Sequence, residues 1–151
     1  METDIRQIKR MYEMNIILFN KLLECVNLER ESLINIDIKA LWTLMSKKQE
    51  IMEAIEETGN QLRLVNKGDD PYRNIPSEAR PEIRNLHQKL TDLKLNTMAI
   101  IKENVSFINE SVDFFHEIIS IFTKPGDKND SYGPSMKNMM NHSNLIYHNE
   151  V

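Results

Sequence analysis

One cysteine, one tryptophan, four glycines and five prolines occur in 151 residues. A lone thiol, Cys25, rules out an intrachain disulfide, and nothing else in the chain points to an oxidising compartment. Cys25 itself reads as a small buried hydrophobe rather than a reactive thiol. Uninterrupted apolar runs are also missing: none approaches the roughly 18 residues that a membrane-crossing helix needs. The start of the chain, Met1-Glu-Thr-Asp-Ile-Arg-Gln, lacks the apolar stretch of a signal peptide. Neither membrane insertion nor secretion is therefore expected, and the expected location is the cytoplasm. There is no excess of positive charge, with 19 Lys and Arg against 23 Asp and Glu. No segment gathers the cations that phosphate neutralisation requires, which argues against a nucleic-acid binder. Alternating apolar and polar runs bounded by turn residues are absent, so no strand is expected.

The few glycines and prolines are clustered. Gly68, Pro71, Pro76 and Pro81 mark one break, and Pro125, Gly126, Gly133 and Pro134 mark another. Between these breaks the chain reads as helix. The first helix is expected over about 4–34, with Ile5, Ile8, Tyr12, Ile16, Phe19, Leu23 and Val26 along its seam. The second is expected over about 37–66, with Ile38, Leu41, Met45, Met52, Ile55 and Leu62 inward. Neither Gly nor Pro separates the two. The alternatives are a turn around Asn35 and Asp37, whose short polar side chains cap free backbone N–H groups, or one continuous helix; the turn is favoured.

The third helix is expected over about 81–123, with Ser77 or Arg80 preceding it and Pro81 and Glu82 in its first turn. Ile83, Leu86, Leu90, Leu93, Ile100, Phe107, Phe114, Ile118 and Ile121 recur at steps of three and four. Only Thr97, Asn104 and Ser111 interrupt this ladder. Such spacing makes one helix about 60 Å long with a single seam toward other helices. The expected fold is all-α: an elongated antiparallel bundle of three long helices over 1–123. A flexible C-terminal tail over 124–151, with room for a short fourth helix, completes it. Met136, Met139 and Met140 have helical spacing, but so short a segment does not hold a helix alone in water.

Signs of catalysis are scarce. The histidines are His87, His116, His142 and His148, and no Glu-x-x-His pair exists, so a di-iron bundle site is not expected. A Gly-rich phosphate loop and a nucleophile elbow are both lacking. His116 could accept a phosphoryl group only if small neighbours admitted a partner's active site, whereas Phe114, Phe115 and Glu117 crowd it. Two features carry more information. Toward the end of the third helix a second apolar stripe, Ile101, Val105, Ile108, Val112, Phe115, Ile119 and Phe122, runs beside the first. It serves either a further packing surface or a partner. Beside it lie the acids Glu103, Glu110, Asp113 and Glu117, with no Lys or Arg between Glu103 and Thr123. These acids are either a solvated face or a rim that orients a partner. Nine methionines, three of them in the tail, suit adaptable apolar contact.

The order of breaks also carries a resemblance. Leu22-Leu23-Glu24, Glu29-Arg30-Glu31-Ser32-Leu33, Asp37, Ala40-Leu41, Leu44 and Lys47-Lys48-Gln49-Glu50 follow one another, with Leu93, Asn96 and Asn104 later and Tyr132-Gly133-Pro134 after the third helix. Over roughly 15–135 this resembles the FlgN-type flagellar export chaperones. It departs just beyond Pro134, where Ser135 and Met136 replace a glycine often found in the family.

The resemblance implies a non-enzymatic cytoplasmic type III export chaperone without cofactor or metal. It would hold the C-terminal amphipathic segments of hook-associated (hook–filament junction) proteins unassembled and pass them to the flagellar export apparatus. Phe115, Ile119, Phe122, Met136, Met139, Met140 and Tyr147 are the expected partner-binding residues, on account of the surplus apolar face and a tail too short to fold alone. Competing expectations are a structural coiled-coil adaptor that forms a homodimer, a filament-cap export chaperone, and a phosphotransfer domain using His116.

Overall fold

The computed structural model describes residues 2–65, 72 and 75–123. Three helices follow in order: α1 (Glu2–Ile34), α2 (Ile38–Val65) and α3 (Arg80–Phe122). Among the described residues there is no strand. The expected all-α packing of three long helices is what the chain adopts. The loop residues Gly68 and Pro71 and the whole tail from Lys124, with its expected fourth helix, lie outside the described residues.

The turn between α1 and α2 is real, and its geometry explains how a chain without Gly or Pro reverses. Asp37 N–H donates to the Ser32 carbonyl at 2.9 Å, and Ile36 N–H to the Leu33 carbonyl at 3.3 Å. This pair of bonds is a Schellman closure, in which the residue after the helix takes the left-handed conformation. Here that residue is Ile36, with φ of 55°. Glycine is the usual occupant, because a β-branched side chain is strained at positive φ. Asp37 then opens α2: its Oδ1 accepts from Ala40 N–H at 3.0 Å, and its carbonyl accepts from Leu41 N–H at 3.0 Å. One residue thus closes the first helix and caps the second.

α3 begins at Arg80, so Arg80 lies inside the helix and Ser77 precedes it, with Pro81 and Glu82 in the first turn as expected. Ala79 stands at the boundary, its carbonyl accepting from Ile83 N–H at 3.1 Å, after a turn in which Ala79 and Arg80 both donate to the Pro76 carbonyl. The Arg80 side chain donates from Nε to the Ile75 carbonyl at 2.9 Å, and Ile75 is buried. The loop thereby anchors the entry that a capping side chain would otherwise hold.

By its contacts the chain divides into residues 1–104 and 105–151. Within the first unit α1 is the centre. Cys25 Sγ lies 3.6 Å from the Leu44 carbonyl, and Lys48 pairs with Glu29 at 2.6 Å; only residues 35–37 separate the two packed helices, so α2 folds back along α1 and the pair is antiparallel. Lys9 pairs with Glu82, Lys94 sits 5.5 Å from the Phe19 ring, and Asn104 reaches the Val26 carbonyl at 2.9 Å. Numbers rise together, so this part of α3 runs parallel to α1. The core is Ile8, Tyr12, Ile16, Phe19, Leu22, Cys25 and Val26 of α1, with Ile51, Ile75, Ile83, Leu90 and Ile101.

The expected seams need three corrections. On α1, Leu22 rather than Leu23 is fully buried. On α2, Ile38 and Met45 are exposed, and the buried residue is Ile51; Leu44, Lys48 and Ile51 set the inward direction. On α3 the polar rungs Thr97 and Asn104 are buried while Phe107, Phe114 and Ile121 are exposed. Apolarity alone misplaced these residues because a three-helix contact is set by which side neighbours occupy, not by which stripe is greasier.

Candidate partner-binding face

Where α3 passes Asn104, burial stops. Asn104 is 2 % exposed. Its Nδ2 donates to the Val26 carbonyl and, at 3.1 Å, to Glu29 Oε2, while Lys48 holds Glu29 Oε1 at 2.6 Å. A carboxylate of α1 is thus gripped by α2 from one side and α3 from the other. The Asn104 Oδ1 is buried with no hydrogen-bond partner, a cost that the two donated bonds offset. Arg30 adds an ion pair to Glu103 at 2.7 Å, half in water and of small worth. Thr97, fully buried, hides its hydroxyl by donating to the Leu93 carbonyl at 2.7 Å. Cys25 is also enclosed. Burial chiefly, and the nearby Glu29 carboxylate next, push the thiol's pKa up from its ordinary value, which disfavours the reactive thiolate.

From Val105 onward α3 is a different surface. Phe107, Ile108, Phe114, Phe115, Ile119, Ile121 and Phe122 are all exposed, Phe122 to 82 %. Of the two apolar stripes only Val105, Val112 and Ile118 are partly covered here, and together the stripes span about half the circumference of the helix. The rings of Phe114 and Phe115 lie 6.1 Å apart, tilted by 60°. Glu110, Asp113 and Glu117 are exposed along one edge of this arc, at a spacing that places them on one side of the helix. The other edge carries Asn109, His116 and Ser120, so the acids line one edge only. Ser111 and Ser120 turn their hydroxyls back to the Phe107 and Glu117 carbonyls, so they add no polar groups that would oppose apolar contact. Exposed apolar surface this continuous is rare on a protein that works alone.

Of the expected partner-binding residues, Phe115, Ile119 and Phe122 lie on this face. Met136, Met139, Met140 and Tyr147 lie outside the described residues. Sequence reasoning missed Phe107, Phe114 and Ile121 as part of the face because it assigned them to the packing seam. The signal that could have found them is the polar rung Asn104, beyond which two apolar stripes run side by side with Ser111 as their one polar position. His116 is exposed between Phe115 and Glu117. No group of three or more His, Cys, Asp or Glu able to hold a metal exists among the described residues. No described helix is long and apolar enough to cross a membrane.

Fold and face together define an all-helical scaffold that presents uncovered apolar surface. The family model described as FlgN protein matches residues 1–138. The chain belongs to the FlgN family, which makes it a flagellar export chaperone of a family that is not enzymatic and binds flagellar proteins. No curated protein and no solved structure matches it.

Proposed function

We propose that this chaperone works in the cytoplasm and binds the C-terminal amphipathic segments of hook-associated proteins. It keeps them from assembling early and aids their delivery to the export apparatus. The observation that carries this reading is the bare arc of α3 from Phe107 to Phe122. An amphipathic helix buries its apolar face in such a surface, with anchors repeating at three and four residues. The acids Glu110, Asp113 and Glu117 orient the incoming helix by attracting bases on its flank. Tail residues Met136, Met139, Met140 and Tyr147 belong to the proposed contact surface, and flexible thioethers suit clients of differing shape.

The test is capture of hook-associated C-terminal segments by the purified chain. Replacing Phe115 and Phe122 together by Ser removes two large apolar anchors and is expected to weaken capture by about thirtyfold or more, with helix content unchanged because both side chains are already exposed. Undiminished capture would place the client elsewhere. A chain ending at Thr123 examines the tail separately, and full binding by it would exclude the tail from the contact.

A further inference from the structure

The bare arc of α3 is wider than one docked helix covers. A helix packed against a single neighbour needs an apolar stripe of about 100°. Two helices lying side by side on a third, all at the usual separation, stand about 60° apart around its axis and together need about 160°. The arc between Val105 and Phe122 spans about half the circumference, so its width matches two neighbours. Both halves of it are open. Ile121, in the stripe with Phe107 and Phe114, is 78 % exposed, and Phe122, in the stripe with Ile108, Phe115 and Ile119, is 82 % exposed. A single docked helix would leave one of these stripes in water.

The stripes also differ at their outer edges. Glu110 and Glu117 stand beside the first, and Asn109, His116 and Ser120 beside the second, all exposed. No Lys or Arg occurs between 105 and 122. A helix on the first stripe therefore gains from Lys or Arg on its outer flank, whereas one on the second does not. Resting on the client-binding reading above, we propose that the client segment docks as two amphipathic helices, one on each stripe, which close a three-helix bundle with α3. The helix beside Glu110 and Glu117 carries bases on its outer flank, and its mate carries uncharged polar groups there. From Phe107 to Phe122 the arc is about 22 Å long, which fits about fifteen residues in each client helix. Joined by a turn of about two to five residues, the two make one segment of about 35 residues. Linkage in one chain makes docking of the second helix intramolecular, which favours a hairpin over two separate molecules.

Amide exchange on the C-terminal segment of a hook-associated protein, with the full chain in excess, tests this. The expected result is two protected stretches in the segment, each of about fifteen residues, with an unprotected turn between them. Phe107→Ser with Phe114→Ser deprotects the base-flanked stretch, and Phe115→Ser with Phe122→Ser deprotects the other. Glu110→Lys with Glu117→Lys weakens capture by about tenfold, and the loss shrinks in high salt. All six positions are exposed, and circular dichroism confirms that the variants fold. One protected stretch, or two that respond alike to both aromatic pairs, overturns the proposal and leaves the chaperone reading standing. So does a second stretch that appears only when the chain ends at Thr123, which would give one stripe to the chain's own tail. No capture at all by the unaltered chain overturns the chaperone reading and this proposal with it.

Discussion

Ile36 and Asn104 each break a local preference, and each does so where helices must be held in register. At Ile36 the turn forces a β-branched residue to φ of 55°, a strain on the order of 1–3 kcal/mol. Ile36→Gly relieves it at the cost of a more flexible unfolded chain, so a net gain of about 1 kcal/mol is expected. It would show as a higher urea midpoint at unchanged slope; a lower midpoint would mean that the side chain's contacts outweigh the strain. Asn104 is the larger lever, because its amide satisfies Glu29 and the Val26 carbonyl together. Asn104→Asp removes the donor and sets two carboxylates side by side. A loss of about 2–3 kcal/mol is expected at neutral pH. The like charge of Glu29 raises the new carboxyl's pKa, so the loss shrinks as pH falls and protonation returns a donor. Chemical denaturation at two pH values checks this, and an equal loss at both would show that the Glu29 contact is not the cause. Glu29, Arg30, Lys48 and Asn104, which carry much of the resemblance to the family, prove to be the residues that bind three helices together.

The helices divide labour unevenly. α1 is covered along its length, whereas α2 buries only Ile51 fully and α3 changes character after Asn104. Helix without tertiary cover opens locally at little free-energy cost. Amide hydrogen exchange should therefore be slow from Ile83 to Asn104 and faster from Ile108 to Phe122, with client addition slowing the second stretch selectively. Equal protection in both halves without a client would mean that something already covers the aromatic face. The lengths and period of these helices were legible because steps of three and four persist through each of them with breaks only at caps and prolines. Their inward faces were less so. Ile38 and Met45 have the right spacing for a core and yet face water, and Thr97 and Asn104 have the wrong chemistry and yet lie inside. Hydrophobicity marks which positions would gain from burial, but neighbours decide which of them are reached.

For the molecule as a whole, chemistry readable along the chain set the class. Helical period, scarce turn residues, a single thiol and balanced charge all depend on local properties of neighbouring residues, and local properties are what one dimension records. They pointed to an all-helical binding protein, and the order of breaks pointed to its family. The bare aromatic arc was half visible in this way: Phe115, Ile119 and Phe122 stood out as surplus, while Phe107, Phe114 and Ile121 were taken for core. Packing settled the remainder. That Asn104 is the last buried rung, that Glu29 is shared between Lys48 and Asn104, and that Trp42 faces outward all depend on residues about 20 to 75 positions apart coming into contact. No window of sequence contains both partners of such a contact, so only the assembled helices reveal where the core ends and the exposed aromatic face begins.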